Sequence, residues 1–102
     1  MRKYKIEFLL QANQDLEEIA DYLAQYYLST VKKFRKALKD KFKAISGNPY
    51  IFQKSLYSEK YRRAVINDYI LYYAIDEEKM LVIVYLIIHA SRDVEQYLTR
   101  LN

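Results

Sequence analysis

The chain has 102 residues, a net charge of +4, one Gly, one Pro and no Cys. That length fits one domain, residues 1–102, with a modest core, and so few chain breakers leave no material for long linkers. The lack of Cys excludes a disulfide framework, a thiolate nucleophile and a Cys-based zinc site, while a hydrophobic content of 52% with charges of mixed sign excludes disorder. The mild positive charge points to nucleic acid or to an acidic protein partner. The first apolar run is too short for a signal-peptide core. The longest, Leu81 to Ile88, falls far below the ~20 residues of a bilayer span. The expectation is a soluble cytoplasmic protein with no membrane partner, no cofactor and no metal.

Residues 3–10 alternate, with Tyr4, Ile6 and Phe8 set against Lys3, Lys5 and Glu7, the period of a strand with one buried face. From Ala12 the period changes. Ala12, Leu16, Ile19, Ala20, Leu23, Tyr26 and Tyr27 fall at three- and four-residue steps, the stripe of an amphipathic helix. Asp15, Glu17 and Glu18 in its opening turns suit the positive end of the helix dipole. Leu28, Ser29 and Thr30 read as a short connection, with Ser29 or Thr30 as a cap. Val31, Phe34, Leu38, Phe42 and Ile45 then mark a second helix, which Gly47 should end in the left-handed conformation, with Pro49 just beyond. Two helices so closely joined pack as an antiparallel hairpin. The first is acidic; the second carries Lys32, Lys33, Arg35, Lys36, Lys39, Lys41 and Lys43 against a single Asp40. That run reads either as a basic surface for phosphates or an acidic partner, or as a solvated face partly paired with the first helix.

Residues 48–60 lack a period and read as a loop with Tyr50, Ile51 and Phe52 tucked beneath it. The stretch from Tyr61 to Asp93 organises the rest. Arg63 and Val65 alternate with Arg62, Ala64 and Ile66; Asn67-Asp68 suits a hairpin turn, because both residues tolerate positive φ. Tyr69 to Ile75 is a second strand, Asp76 to Lys79 a turn, and Met80 to His89 a third strand, apolar on both faces and therefore central. Arg62 and Arg63 open the stretch, His89, Arg92 and Asp93 close it, and a folded hairpin would bring those polar ends together as one basic edge. Val94, Tyr97, Leu98 and Leu101 read as one side of a short helix or tail. The order strand, helix, helix, strand, strand, strand gives an α+β fold in which a three-stranded antiparallel meander carries the helix hairpin on one face.

In that order, DLEEIADYLAQY in the first helix, NPYIF after the second, YRRAVINDYILYYAID and LVIVYLIIHASRD resemble the RelE/ParE toxin superfamily of type II toxin–antitoxin pairs. The Arg pair entering a strand, the Tyr-rich strand ending in Ile-Asp and the His-x-x-Arg-Asp close resemble its ParE-like branch. The resemblance implies the toxin half of a plasmid-stabilisation (addiction) system. Its partners would be a cognate antitoxin and, as target, DNA gyrase or the translating ribosome with its mRNA. RelE-like members are mRNA interferases, and in one branch of them the middle meander strand supplies an Arg and the last strand ends in His-Tyr. Here those positions are Ile70 and Ala90, so the resemblance favours gyrase inhibition; the alternatives are ribosome-dependent mRNA cleavage and an inactive relative kept as a binding module. No catalytic residue is assigned on this basis, the candidates being His89, Arg62, Arg63 and Arg92. Arg62, Arg63, Tyr73, His89 and Arg92 are the partner-binding candidates. Each has a structural reading beside it: His89 bonded to backbone or to Asp93, Arg92 paired with Asp93, and Tyr69, Tyr72 and Tyr73 as core.

Overall fold

Leu81–His89, the most apolar run of the chain, is the inner strand around which the sheet is built. The computed structural model describes residues 3–56 and 58–92; Asp93 and the expected segment from Val94 to Leu101 lie outside them. Among the described residues the order is β1 (Lys5–Phe8), α1 (Leu10–Ala24), α2 (Leu28–Gly47), β2 (Arg62–Ile66), β3 (Tyr69–Asp76) and β4 (Leu81–His89). The sheet runs β1-β4-β3-β2, with the last three strands an antiparallel meander and β1 added parallel to β4.

The expected elements form, with their ends moved. α2 starts at Leu28 on an extended Tyr27, so Ser29 and Thr30 lie in its first turn, not at its cap, and the connection is residues 25–27. α1 starts at Leu10, which places Asp15, Glu17 and Glu18 beyond its first turn and removes their expected role at the dipole. Gly47 is the last residue of α2 and is not left-handed. Asn48 follows in an extended conformation (φ −155°), which the ring of Pro49 imposes on the residue before it. Asn67 takes positive φ (53°), as the β2–β3 turn requires.

One face of the sheet packs on the helices. Ala12 and Ile19 from α1 and Phe34 and Ile45 from α2 meet Ala64, Ile66, Tyr69, Leu71, Tyr73, Val82, Val84 and Ile87. A second cluster, Tyr61, Ile70, Tyr72, Leu86 and Ile88, is also buried and has the opposite strand parity. The two faces change partners at a β-bulge. Tyr72 pairs with Leu86 but Tyr73 with Val84, so Tyr85 is an extra residue in β4, and beyond it the inward parity passes from Val82 and Val84 to Ile87 and His89.

Candidate functional site

Topology decides which candidates meet. β2, β3 and β4 are three strands, and an odd number of antiparallel strands leaves the start of the first and the end of the last at opposite ends of the sheet. Arg62 pairs with Tyr73, whereas His89 pairs with Tyr69. Four residues of β3 separate those rows, about 13 Å along the strand. The single basic edge expected from the sequence does not form.

The two arginines divide further, because neighbours on a strand face opposite ways. Arg62 shares the helix-side parity of Ala64 and Ile66. Its Nη1 donates to the carbonyl of Phe52 at 2.7 Å, and its guanidinium stands 5.1 Å from the centre of the Tyr50 ring. Tyr50 in turn donates its hydroxyl to Glu77, in the β3–β4 turn, and Tyr4 donates to the other carboxylate oxygen at 2.7 Å. Those two bonds, Tyr50 first, hold the Glu77 carboxyl below its ordinary range. Arg62 therefore belongs to a clamp tying β1, the 48–52 segment and the β3–β4 turn together. Arg63 has the other parity, beside Tyr61 and Tyr72, and its Nε is buried with no hydrogen-bond partner among the described residues.

Tyr73 has no exposed surface, and its hydroxyl donates to the carbonyl of Pro49 at 2.6 Å. It is a core residue with no face to offer a partner, a correction to its place among the partner-binding candidates. Tyr69 and Tyr72 are buried as well.

His89 and Arg92 do share a site. A cleft of about 540 Å³ runs between α1 and the end of β4, lined by Asp15, Glu18, Tyr22 and Tyr69 together with His89 and Arg92. The His89 ring stands edge-on to Tyr69, centroids 5.4 Å apart. Its Nδ1 accepts the backbone N–H of Ser91 at 3.2 Å and lies 2.7 Å from the Ser91 hydroxyl. An Nδ1 that accepts leaves the proton of the neutral ring on Nε2. Asp15 closes the other side: its Oδ2 accepts the Ile87 N–H at 3.0 Å, and its Oδ1 accepts from Gln11 at 2.9 Å. The Tyr22 and Tyr69 hydroxyls are both held above their ordinary pKa, Tyr22 chiefly by its hydroxyl contact with Tyr26 and Tyr69 chiefly by burial. The cleft thus offers two aromatic walls, two carboxylates, one imidazole and one guanidinium.

Asp15, Tyr22 and the Tyr4–Tyr50–Glu77 clamp were not singled out from the sequence. For Asp15 a signal was present. It lies three residues after Ala12 and four before Ile19, a carboxylate bordering the apolar stripe. Among the described residues, no three His, Asp or Glu side chains cluster as a metal ion would need, and no helix is long and apolar enough to cross a membrane.

A four-stranded mixed sheet with a helix hairpin on one face is the α+β architecture of the RelE-like toxins. A chain of the toxin–antitoxin complex RelBE2 from Mycobacterium tuberculosis is 27% identical, with a TM-score of 0.59 over 87% of this chain and 93% of that one. The isolated RelE toxin of E. coli is 22% identical, with a TM-score of 0.64 over 97% of this chain and 99% of its own. A chain of the intact E. coli RelBE toxin–antitoxin complex gives 24% identity and a TM-score of 0.63, covering 87% and 99%. No curated protein matches significantly in sequence. The family model described as the ParE toxin of the type II toxin–antitoxin system parDE matches residues 6–94, and the chain belongs to that family. It is a toxin of the type II toxin–antitoxin class.

Proposed function

We propose that this toxin acts in the cytoplasm by binding and inhibiting DNA gyrase, and that a cognate antitoxin neutralises it. The observation that carries the first part is the dispersal of the cations. Cleaving RNA requires a base for the 2′-hydroxyl, cations on the phosphate and an acid for the leaving oxygen, all within hydrogen-bond reach of one scissile bond. Arg62 is spent on Phe52 and Tyr50, Arg63 has the opposite strand parity, and His89 lies at the other end of the meander. Ile70, where a nuclease branch carries its phosphate-binding Arg, is 6% exposed in an apolar cluster. An inhibitor that acts by binding needs no such convergence. Arg63, His89 and Arg92 are then contact residues, not catalysts. The antitoxin reading draws support from the similar chains that were solved in complexes with their antitoxins.

The test is a supercoiling assay with purified toxin, gyrase and relaxed plasmid. Inhibition at stoichiometric toxin, relieved by the antitoxin, is expected. Unimpaired supercoiling by a preparation that still arrests cells overturns the reading.

Ribosome-dependent mRNA cleavage is the second reading, and His89 and Arg92 in one cleft are what favour it. On that reading the His89 Nε2–H faces the substrate as donor. Mapping mRNA ends after induction then reveals new cuts that His89→Ala abolishes; on the gyrase reading no such cuts arise, and His89→Ala weakens supercoiling inhibition as the loss of one contact.

A further inference from the structure

The outward faces of the two helices carry opposite charge, side by side. On α2, Lys32, Lys36, Lys39 and Lys43 follow at four-, three- and four-residue steps, one stripe on the side away from the buried Val31, Phe34 and Ile45. On α1, Glu17 and Asp21 lie on the side away from the buried Ala12 and Ile19, and Glu18 lies at the flank where the helix borders the His89 cleft. All seven side chains are exposed. Because the buried sides of both helices pack on the same face of the sheet, both charged stripes turn away from it. Among the described residues, none of the four lysines forms an ion pair with these or other carboxylates. Where the two helices join, Tyr26, Tyr27 and Leu28 are 59%, 73% and 74% exposed, an apolar tip of the kind that marks interaction surfaces.

We propose that this helical face binds a second copy of the chain. A two-fold axis parallel to the hairpin lays α1 of each copy antiparallel over α2 of the other. That operation sets the acidic stripe on the basic stripe twice, and it gathers both apolar tips at one end. It is isologous, each surface meeting its own copy, as two-fold dimers require. The charge pattern also selects this occupant over others. A uniformly acidic peptide, or a nucleic acid, that satisfies the lysines of α2 meets the carboxylates of α1 beside them. Only a partner with both signs in the same order fits both helices, and this chain presents one.

The face is small. Sixteen residues of helix span about 24 Å and a helix is about 10 Å wide, so two helices cover roughly 500 Å². The total for two copies falls below the ~1,200 Å² of stable complexes, which sets the expectation of a weak, reversible dimer. The charged rim makes it salt-sensitive, since exposed charges are screened within about 10 Å at 0.1 M salt.

Sedimentation velocity on the purified full-length toxin tests this directly. In low salt the wild-type chain is expected to move from monomer to dimer with rising concentration, and to bind roughly tenfold more weakly or worse in molar salt. Lys32→Glu/Lys36→Glu/Lys39→Glu makes both stripes acidic, and Glu17→Lys/Glu18→Lys/Asp21→Lys makes both basic. Each variant alone is expected to be monomeric, with circular dichroism showing retained helix. Mixed in equal amounts they restore all the opposite-charge pairs and are expected to form the heterodimer. The proposal is overturned by a wild-type chain that stays monomeric throughout, by a dimer that either reversal leaves intact, or by folded variants that fail to pair when mixed.

Discussion

Asp15 on α1 accepts the backbone N–H of Ile87 on β4 at 3.0 Å, a bond across 72 positions of sequence that fixes the strand two residues before His89. β1 ends at Phe8, opposite Val84, so this part of β4 has passed the end of its parallel neighbour. A side chain takes the place of a strand there, covering an edge amide that would otherwise be open. Asp15→Ala is expected to cost about 1–3 kcal/mol, the penalty of a part-buried donor left unpaired, or roughly 4–8 °C of Tm per kcal/mol in a domain of this size. Asp15→Asn keeps an acceptor and should cost less. Hydrogen exchange separates the local effect from the global one: the Ile87 amide should lose protection in Asp15→Ala beyond the loss seen at Leu71 in β3.

Tyr73 gives an alkaline limb. Burial, partly offset by the Arg62 guanidinium nearby, pushes its hydroxyl up to about 12, while the unfolded chain ionises at 10.0. A raised folded value means that the stability is whole below pH 10 and is lost as the pH climbs through 12. Tyr4 is also raised to about 12, chiefly by its bond to Glu77, but that bond is exposed and solvent screening leaves it little part in the limb. Tyr73→Phe should lower stability at neutral pH by about 1 kcal/mol, since the Pro49 carbonyl loses its donor, and should make the fall between pH 10 and 12 shallower. Denaturant midpoints measured across that window report both; an unchanged alkaline slope contradicts the assignment.

What the sequence disclosed and what it hid follow from the same rules. Period-3.6 stripes found both helices and alternation found β1 and β2, while β3 and β4 showed as apolar runs because both of their faces are buried. Which strand neighbours which is not in the period, so the parallel pairing of β1 with β4 was invisible. The bulge at Tyr85 was hidden too: counting by twos puts Val84 and Ile87 on opposite faces, yet both lie against the helices. The site suffered most from counting strands. A hairpin of two would have joined Arg62 to His89, and the third strand parts them. Tyr73 was legible as core, the reading that stood beside its partner-binding candidacy, and the parity it shares with Leu71 points the same way. Of the α2 cations, read as alternatives from sequence, Lys32, Lys36, Lys39 and Lys43 are exposed and form no ion pair among the described residues, whereas Lys41 is half-buried with its ammonium 4.8 Å from the centre of the Phe52 ring.

Glu77 gives an acid limb. Hydrogen bonds from Tyr50 first and Tyr4 second lower its pKa from 4.5. A depressed folded value means that its contribution is present above 4.5 and is lost as the pH falls through the lowered value. Glu77 and Tyr50 are exposed, so the effect is better read as a titration shift than as stability. In a carboxyl-carbon NMR titration the Glu77 midpoint should lie below 4.5. Tyr50→Phe should raise it more than Tyr4→Phe does, and equal or absent shifts would show that the clamp does not persist in solution. Tyr50→Phe leaves its ring under Arg62, so the Arg62–Phe52 bond should survive that change.

A glycine followed two residues later by proline, as Gly47 is by Pro49, reads as a left-handed helix stop. Gly47 instead completes α2 with no positive φ, and an added Cβ meets nothing within 4 Å. The stop comes from Pro49, whose ring drives Asn48 out of the helical region. Glycine at position 47 therefore brings only its cost, the backbone freedom that the unfolded chain keeps. Gly47→Ala is expected to stabilise the protein by about 0.4–1 kcal/mol, read as a rise of a few degrees in Tm with the helical circular dichroism unchanged. Pro49→Ala is its counterpart: it releases Asn48 and should let the end of α2 fray or extend, moving the Pro49 carbonyl that Tyr73 holds at 2.6 Å. Loss of stability in Gly47→Ala would place the stop back at the glycine.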